Sequence, residues 1–134
     1  MRLQRIVLTG IFFIAPLALA ADDLGKLRAI DAKGLKVDFA KGRVSEPRVF
    51  TSVDEFDKAF PKAGAVKKQV DFTKEKLVFF AWGGSGQDRL AGKLSEDGKT
   101  AAFAYTRGRT RDFRRHVQLF AVPKNAVVKV QTVR

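Results

Sequence analysis

The stretch from Lys76 to Trp82 reads Leu77-Val78-Phe79-Phe80-Ala81-Trp82 after its first lysine, and it stops at Gly83-Gly84-Ser85-Gly86. A strand with one wet face alternates apolar and polar side chains, whereas an unbroken apolar run has both faces covered. The segment is therefore expected to be a central strand closed by Gly83-Gly84-Ser85-Gly86. The rest of the chain must supply a layer for each of its faces.

Downstream the pattern stays strand-like. Arg89 to Leu94 and Thr100 to Thr106 flank Glu96-Asp97-Gly98-Lys99, and Asp-Gly at the centre of such a connection is a strong hairpin signal. Phe113 to Val122 and Ala126 to Val133 flank Pro123-Lys124-Asn125, which predicts a last hairpin. Upstream, Ser52-Val53-Asp54-Glu55 has the spacing of a capping box, so a helix should run to about Phe60, ahead of Pro61, with Val53, Phe56 and Phe60 facing inward. Lys62 to Gln69 is read as a linking stretch, and Ala40 to Arg48, with Gly42 and Pro47, as a loop. Between Ala21 and Phe39 two short runs flank Asp31-Ala32-Lys33-Gly34, which favours a hairpin with Gly34 at positive φ.

A parallel sheet requires crossover connections, and the Ser52 helix is the one helix available for them. The expected fold is thus α+β: a mainly antiparallel sheet, curled or folded into a sandwich, with one or two short helices packed on it.

Residues 1–20 are expected not to belong to this fold. Arg2 and Arg5 precede an apolar stretch from Ile6 to Ala15, Pro16 breaks it, and Ala18-Leu19-Ala20 forms a small-x-small site with cleavage before Ala21. The apolar stretch is too short for a membrane anchor, which takes about 20 residues. The expected arrangement is a signal peptide at 1–20 and a single β-rich domain at 21–134, extracytoplasmic in a bacterium, periplasmic or secreted, with no transmembrane segment after cleavage. Loss of Arg2 and Arg5 lowers the net charge from +12 to +10. The chain has no cysteine, so disulfides, thiolate metal sites, cysteine nucleophiles and an acylated N-terminal cysteine are all excluded.

His116 is the only histidine and falls in the last long strand, on one face with Arg114, Gln118 and Phe120. With scattered carboxylates it makes no convincing ligand set, and neither metal nor cofactor is expected. The order Ser85, Asp112, His116 imitates a hydrolase triad, but Gln87 stands where a nucleophile elbow has glycine, and Asp112 and His116 are expected to lie along one strand rather than converge. Nor does Gly86-Gln87-Asp88 complete a phosphate loop. The glycine-rich loop beside Trp82 is instead a candidate binding edge, through Trp82, Gly83, Gly84, Ser85, Gly86 and Gln87.

Arg107-Gly108-Arg109-Thr110-Arg111-Asp112-Phe113-Arg114-Arg115 places five arginines in nine residues. Guanidinium forks suit carboxylate, phosphate or sulfate, and Asp112 can neutralise only one of them. Arg107, Arg109, Arg111, Arg114 and Arg115 are therefore candidate contacts for an acidic or anionic partner at a hairpin tip; the alternative role is a solvated loop with one internal salt bridge. A secreted chain does not meet intracellular nucleic acid, and Phe79, Phe80, Trp82 and Phe103 read as core rather than as a base-stacking platform.

Val70-Asp71-Phe72-Thr73-Lys74-Glu75-Lys76, then Val78-Phe79-Phe80-Ala81-Trp82, and later His116-Val117-Gln118-Leu119-Phe120-Ala121-Val122-Pro123-Lys124, resemble the C-terminal domain of PrcB-type proteins, secreted bacterial proteins associated with a protease complex. The resemblance spans about residues 70–130. Phe113-Arg114-Arg115 and the Gly83 to Gln87 loop depart from the family pattern. The resemblance implies a protein-binding or protein-stabilising module and carries over no catalytic residue. The expected function is a non-enzymatic binding module with a protein or anionic partner, protease-associated as the resemblance suggests. A small cysteine-free protease inhibitor is the alternative, and a hydrolase using Ser85 and His116 is a more remote one.

Overall fold

The computed structural model describes residues 27–37 and 43–133. The elements are β1 (Arg28–Ile30), β2 (Arg48–Phe50), α1 (Val53–Ala59), α2 (Gly64–Lys67), β3 (Glu75–Gly84), β4 (Arg89–Leu94), β5 (Thr100–Thr106), β6 (Arg114–Pro123) and β7 (Val127–Val133). They form two sheets. The first has the order β1-β6-β3-β2 and is antiparallel throughout; the second has the order β4-β5-β7. This is the α+β, mainly antiparallel architecture with two short helices that the sequence predicts.

The unbroken apolar run lies in β3, between β2 and β6, and its alternation now has a cause on each side. Leu77, Phe79 and Ala81 join a core with Phe56, Val66, Val70 and Phe72 from the helical layer. Val78, Phe80 and Trp82 join a second core with Leu94, Ala101 and Phe103 of the other sheet. The first sheet is thus the middle of three layers, and Phe80, Phe103 and Phe120 meet between the sheets with ring centroids 4.9–6.0 Å apart.

The Asp97-Gly98 connection joins β4 to β5 as expected, with Gly98 at φ 71°. Ser52 caps α1 by accepting from the Glu55 amide at 3.2 Å, but the Glu55 carboxylate reaches the Thr51 amide instead of that of Ser52. Phe56 is fully buried, whereas Val53, expected inward, is exposed at the first turn of the helix. The linking stretch contains α2.

The central strand ends within the glycine-rich segment: β3 runs through Gly83 and Gly84, pairing them with Arg115 and Arg114, and stops before Ser85. Three expectations are corrected. Arg48, placed in a loop, opens β2. The hairpin before Phe39 does not form: β1 pairs with β6, and although Gly34 takes φ 81°, no strand runs over Leu35-Lys36-Val37. Phe39 lies outside the described residues, as do residues 1–20, where a signal peptide is expected. Pairing with β6 buries Ile30 against the core, which a free-standing ribbon would not do.

The last hairpin is also absent. β6 lies in the first sheet and β7 in the second, where it runs parallel to β5 in the register Phe103↔Val130. A parallel pair needs a crossover but not a helical one, and here β6 crosses through the neighbouring layer. Pro123-Lys124-Asn125 is accordingly a corner between sheets, tied by Lys124 N to Lys74 O at 3.0 Å and by Val127 N to Lys99 O at 2.8 Å.

Candidate functional site

At one end of the sandwich β3 leaves the first sheet through Ser85-Gly86-Gln87, and residues 107–113 bring the chain from β5 back into β6. The arginine-rich segment is therefore a connection between sheets rather than a hairpin tip, and Arg114 and Arg115 belong to β6. The structure brings this segment against the glycine-rich loop at every turn.

Asp88 is the only buried charged residue among the described residues. Its Oδ2 accepts from Trp82 Nε1 at 3.1 Å and from Tyr105 OH at 2.8 Å, and its Oδ1 accepts from Gly108 N at 2.7 Å. One carboxylate thus joins β3 of the first sheet, β5 of the second and the segment leaving β5. Burial pushes the Asp88 pKa up, but the bonds from Gly108, Tyr105 and Trp82, with His116 nearby, outweigh it and hold it below the usual value. Burial and the same carboxylate push Tyr105 up to about 12, so the phenol remains a donor.

Asp112 forms a second brace from the opposite direction. Its Oδ1 accepts from Gly86 N at 3.2 Å and its Oδ2 from Arg114 Nε at 3.1 Å. Its hydrogen bonds with Thr110, Arg114 and Gly86 hold its pKa down to about 2. Between the braces, Ser85 Oγ is bonded to Thr110 Oγ1, and Gly108 lies so close that an added Cβ would come 2.6 Å from Gln87 backbone carbon. An added Cβ at Gly84 would fall on Asp88 Oδ2, so both close approaches require glycine.

Trp82 is 3 % exposed, so it supports the loop from beneath instead of offering an open contact as expected from sequence. It stacks on His116 with centroids 4.8 Å apart and meets Tyr105 edge to face. Gly83, Gly86 and Gln87 are exposed, as are Arg107, Arg109, Arg111, Arg114 and Arg115. The edge of the Phe113 ring rests over Gly83, leaving that side chain 68 % exposed.

Ser85, Asp112 and His116 do converge, contrary to expectation, but not as a relay. His116 Nε2 lies 2.8 Å from the Ser85 carbonyl oxygen, the Ser85 hydroxyl is bonded to Thr110, and Asp112 is bonded to Gly86 and Arg114. A serine nucleophile requires its hydroxyl on the base and the base on the acid; neither bond is present. Among the described residues no three His, Cys, Asp or Glu side chains cluster as metal ligands, and no helix is long and apolar enough to cross a membrane.

Sequence reasoning did not single out Asp88, Tyr105, Thr110 or Phe113. One signal for Asp88 existed: the only tryptophan and the only tyrosine each need an acceptor when buried, and Asp88 is the only carboxylate between Glu75 and Glu96. Comparisons with family models, curated proteins and solved structures give no match.

Proposed function

We propose that the chain is an extracytoplasmic, non-enzymatic binding module that meets an acidic protein or other anionic partner with the braced end of its sandwich. The observation that supports this most is the division of labour between the two carboxylates and the arginines. Asp88 and Asp112 are spent on pinning backbone and Arg114, while Arg107, Arg109 and Arg111 stand exposed with no ion pair among the described residues. A solvated charge run needs no such internal support, whereas a recognition surface gains from side chains mounted on fixed backbone, because less freedom is lost on binding. Guanidinium groups then supply the donors for carboxylate, phosphate or sulfate. The leader-like residues 1–20 support an extracytoplasmic setting, and the PrcB resemblance favours a protein partner.

Heparin affinity chromatography of residues 21–134 tests the reading. The protein should be retained well above its cation-exchange position, and the variant Arg107→Ala/Arg109→Ala/Arg111→Ala should elute much earlier with an unchanged melting temperature. Equal elution of the two would assign the arginines to solvation.

A further inference from the structure

We infer that the groove beside the glycine-rich loop is a subsite for an anionic carbohydrate chain, with Arg114 taking a carboxylate or phosphate group and His116 and Gln87 taking neighbouring hydroxyls. This rests on the anion-binding surface proposed above and commits it to a non-protein ligand.

The groove is open, encloses about 700 Å³, and is lined by Gly86, Gln87, Thr110, Asp112, Arg114 and His116. Asp112 is already engaged by the Gly86 amide and by Arg114, so it serves as a positioning group. It binds Arg114 through Nε alone. The Nη1 and Nη2 edge of that guanidinium has no partner among the described residues and presents paired N–H donors, the geometry that matches two oxygens of a carboxylate or phosphate.

His116 supplies the complementary polarity. Its Nε2 faces the Ser85 carbonyl oxygen at 2.8 Å, and a carbonyl only accepts, so Nε2 carries the proton. In the neutral ring Nδ1 is then a bare acceptor, and it has no partner among the described residues. A half-turn of the ring would keep the stack on Trp82 but would take Nε2 off the Ser85 carbonyl, so that hydrogen bond fixes which edge Nδ1 occupies. Carboxylates themselves carry no proton to offer Nδ1, whereas a charged sugar unit places several hydroxyl donors directly beside its acid group. The exposed Gln87 amide can both donate and accept, which again suits hydroxyls. A fixed anion fork beside a fixed acceptor therefore describes a ligand whose charges are flanked by hydroxyl groups. The shallow, open shape and the neighbouring Arg109 and Arg111 suit a chain of such units rather than one small anion.

The test uses an oligogalacturonate as probe, with poly-L-aspartate of matched charge and phosphatidylglycerol vesicles as comparisons, read by calorimetry and by emission of Trp82, the only tryptophan. The oligogalacturonate should bind at least about tenfold more tightly than poly-L-aspartate and should shift Trp82 emission through His116. Arg114→Lys keeps the charge and removes the fork, and should weaken the oligogalacturonate about tenfold while changing poly-L-aspartate less than about twofold. His116→Phe keeps a ring over Trp82 and should have the same selective effect. Equal affinity for the two polymers, preference for the vesicles, or an Arg114→Lys variant with unchanged oligogalacturonate binding would overturn the carbohydrate subsite while leaving an anion-binding surface. Absence of binding to all three probes would remove both readings.

Discussion

Replacing Asp88 by asparagine keeps the size of the side chain and removes one of its two accepting oxygens. In the native structure Oδ2 receives Trp82 and Tyr105, and Oδ1 receives Gly108. If the asparagine oxygen faces Trp82 and Tyr105, its NH₂ opposes the Gly108 N–H, which is then left without an acceptor. If the amide is turned over, Gly108 is satisfied and Tyr105 can rotate to accept, but the Trp82 N–H faces a donor. Either way one charge-assisted bond is lost and one sheltered donor is stranded, which together amount to about 2–4 kcal/mol. For a domain of roughly 100 residues that corresponds to a fall in Tm of about 8–16 °C. Urea unfolding followed by Trp82 emission measures it, with Glu96→Gln at an exposed position as the control. A loss no larger than that of the control would show that Asp88 is not the pin between the sheets and that the arginines are not mounted on backbone it holds.

Acid should release the same pin. The Asp88 and Asp112 pKa values are both lowered in the folded chain, so the folded state binds fewer protons than the unfolded one near pH 4. Their contribution is fully present above the unfolded carboxylate pKa and is lost as pH falls through the folded values; Tm should drop below about pH 4, and less steeply in Asp88→Asn. Gly108→Ala places a methyl 2.6 Å from Gln87 and should destabilise by about 1–3 kcal/mol in urea unfolding, with little change if the segment can lift away. Phe103→Ala should cost about 3–5 kcal/mol by the same assay, because Phe103 is 1 % exposed and touches Phe80 and Phe120 across the sheets.

What could be read from the sequence was what local chemistry decides. The β3 run announced its two covered faces, Asp97-Gly98 its turn, and Ser52 its helix start. Partner choice was not local: Val127 to Val133 reads as a strand equally well beside β6 or β5, and only the packing of two sheets sends it to β5. β1 and β2 are three residues each, too short to carry a periodic signal. At the site, both loops were visible as composition, but the residues that hold them together are two aspartates, a tyrosine and a threonine with ordinary neighbours in the chain. Their role comes from residues 17 to 26 positions away.

Because the +10 charge of residues 21–134 is spread over lysines as well as arginines, the most direct measurement is one that locates the ligand. Amide chemical-shift mapping of residues 21–134 with a defined heparin oligosaccharide does so residue by residue. The earliest and largest shifts should fall at 83–88 and 107–116, including the braced amides of Gly86 and Gly108. Shifts spread evenly over the basic surface, or centred on Lys58, Lys62, Lys67 and Lys68, would contradict it.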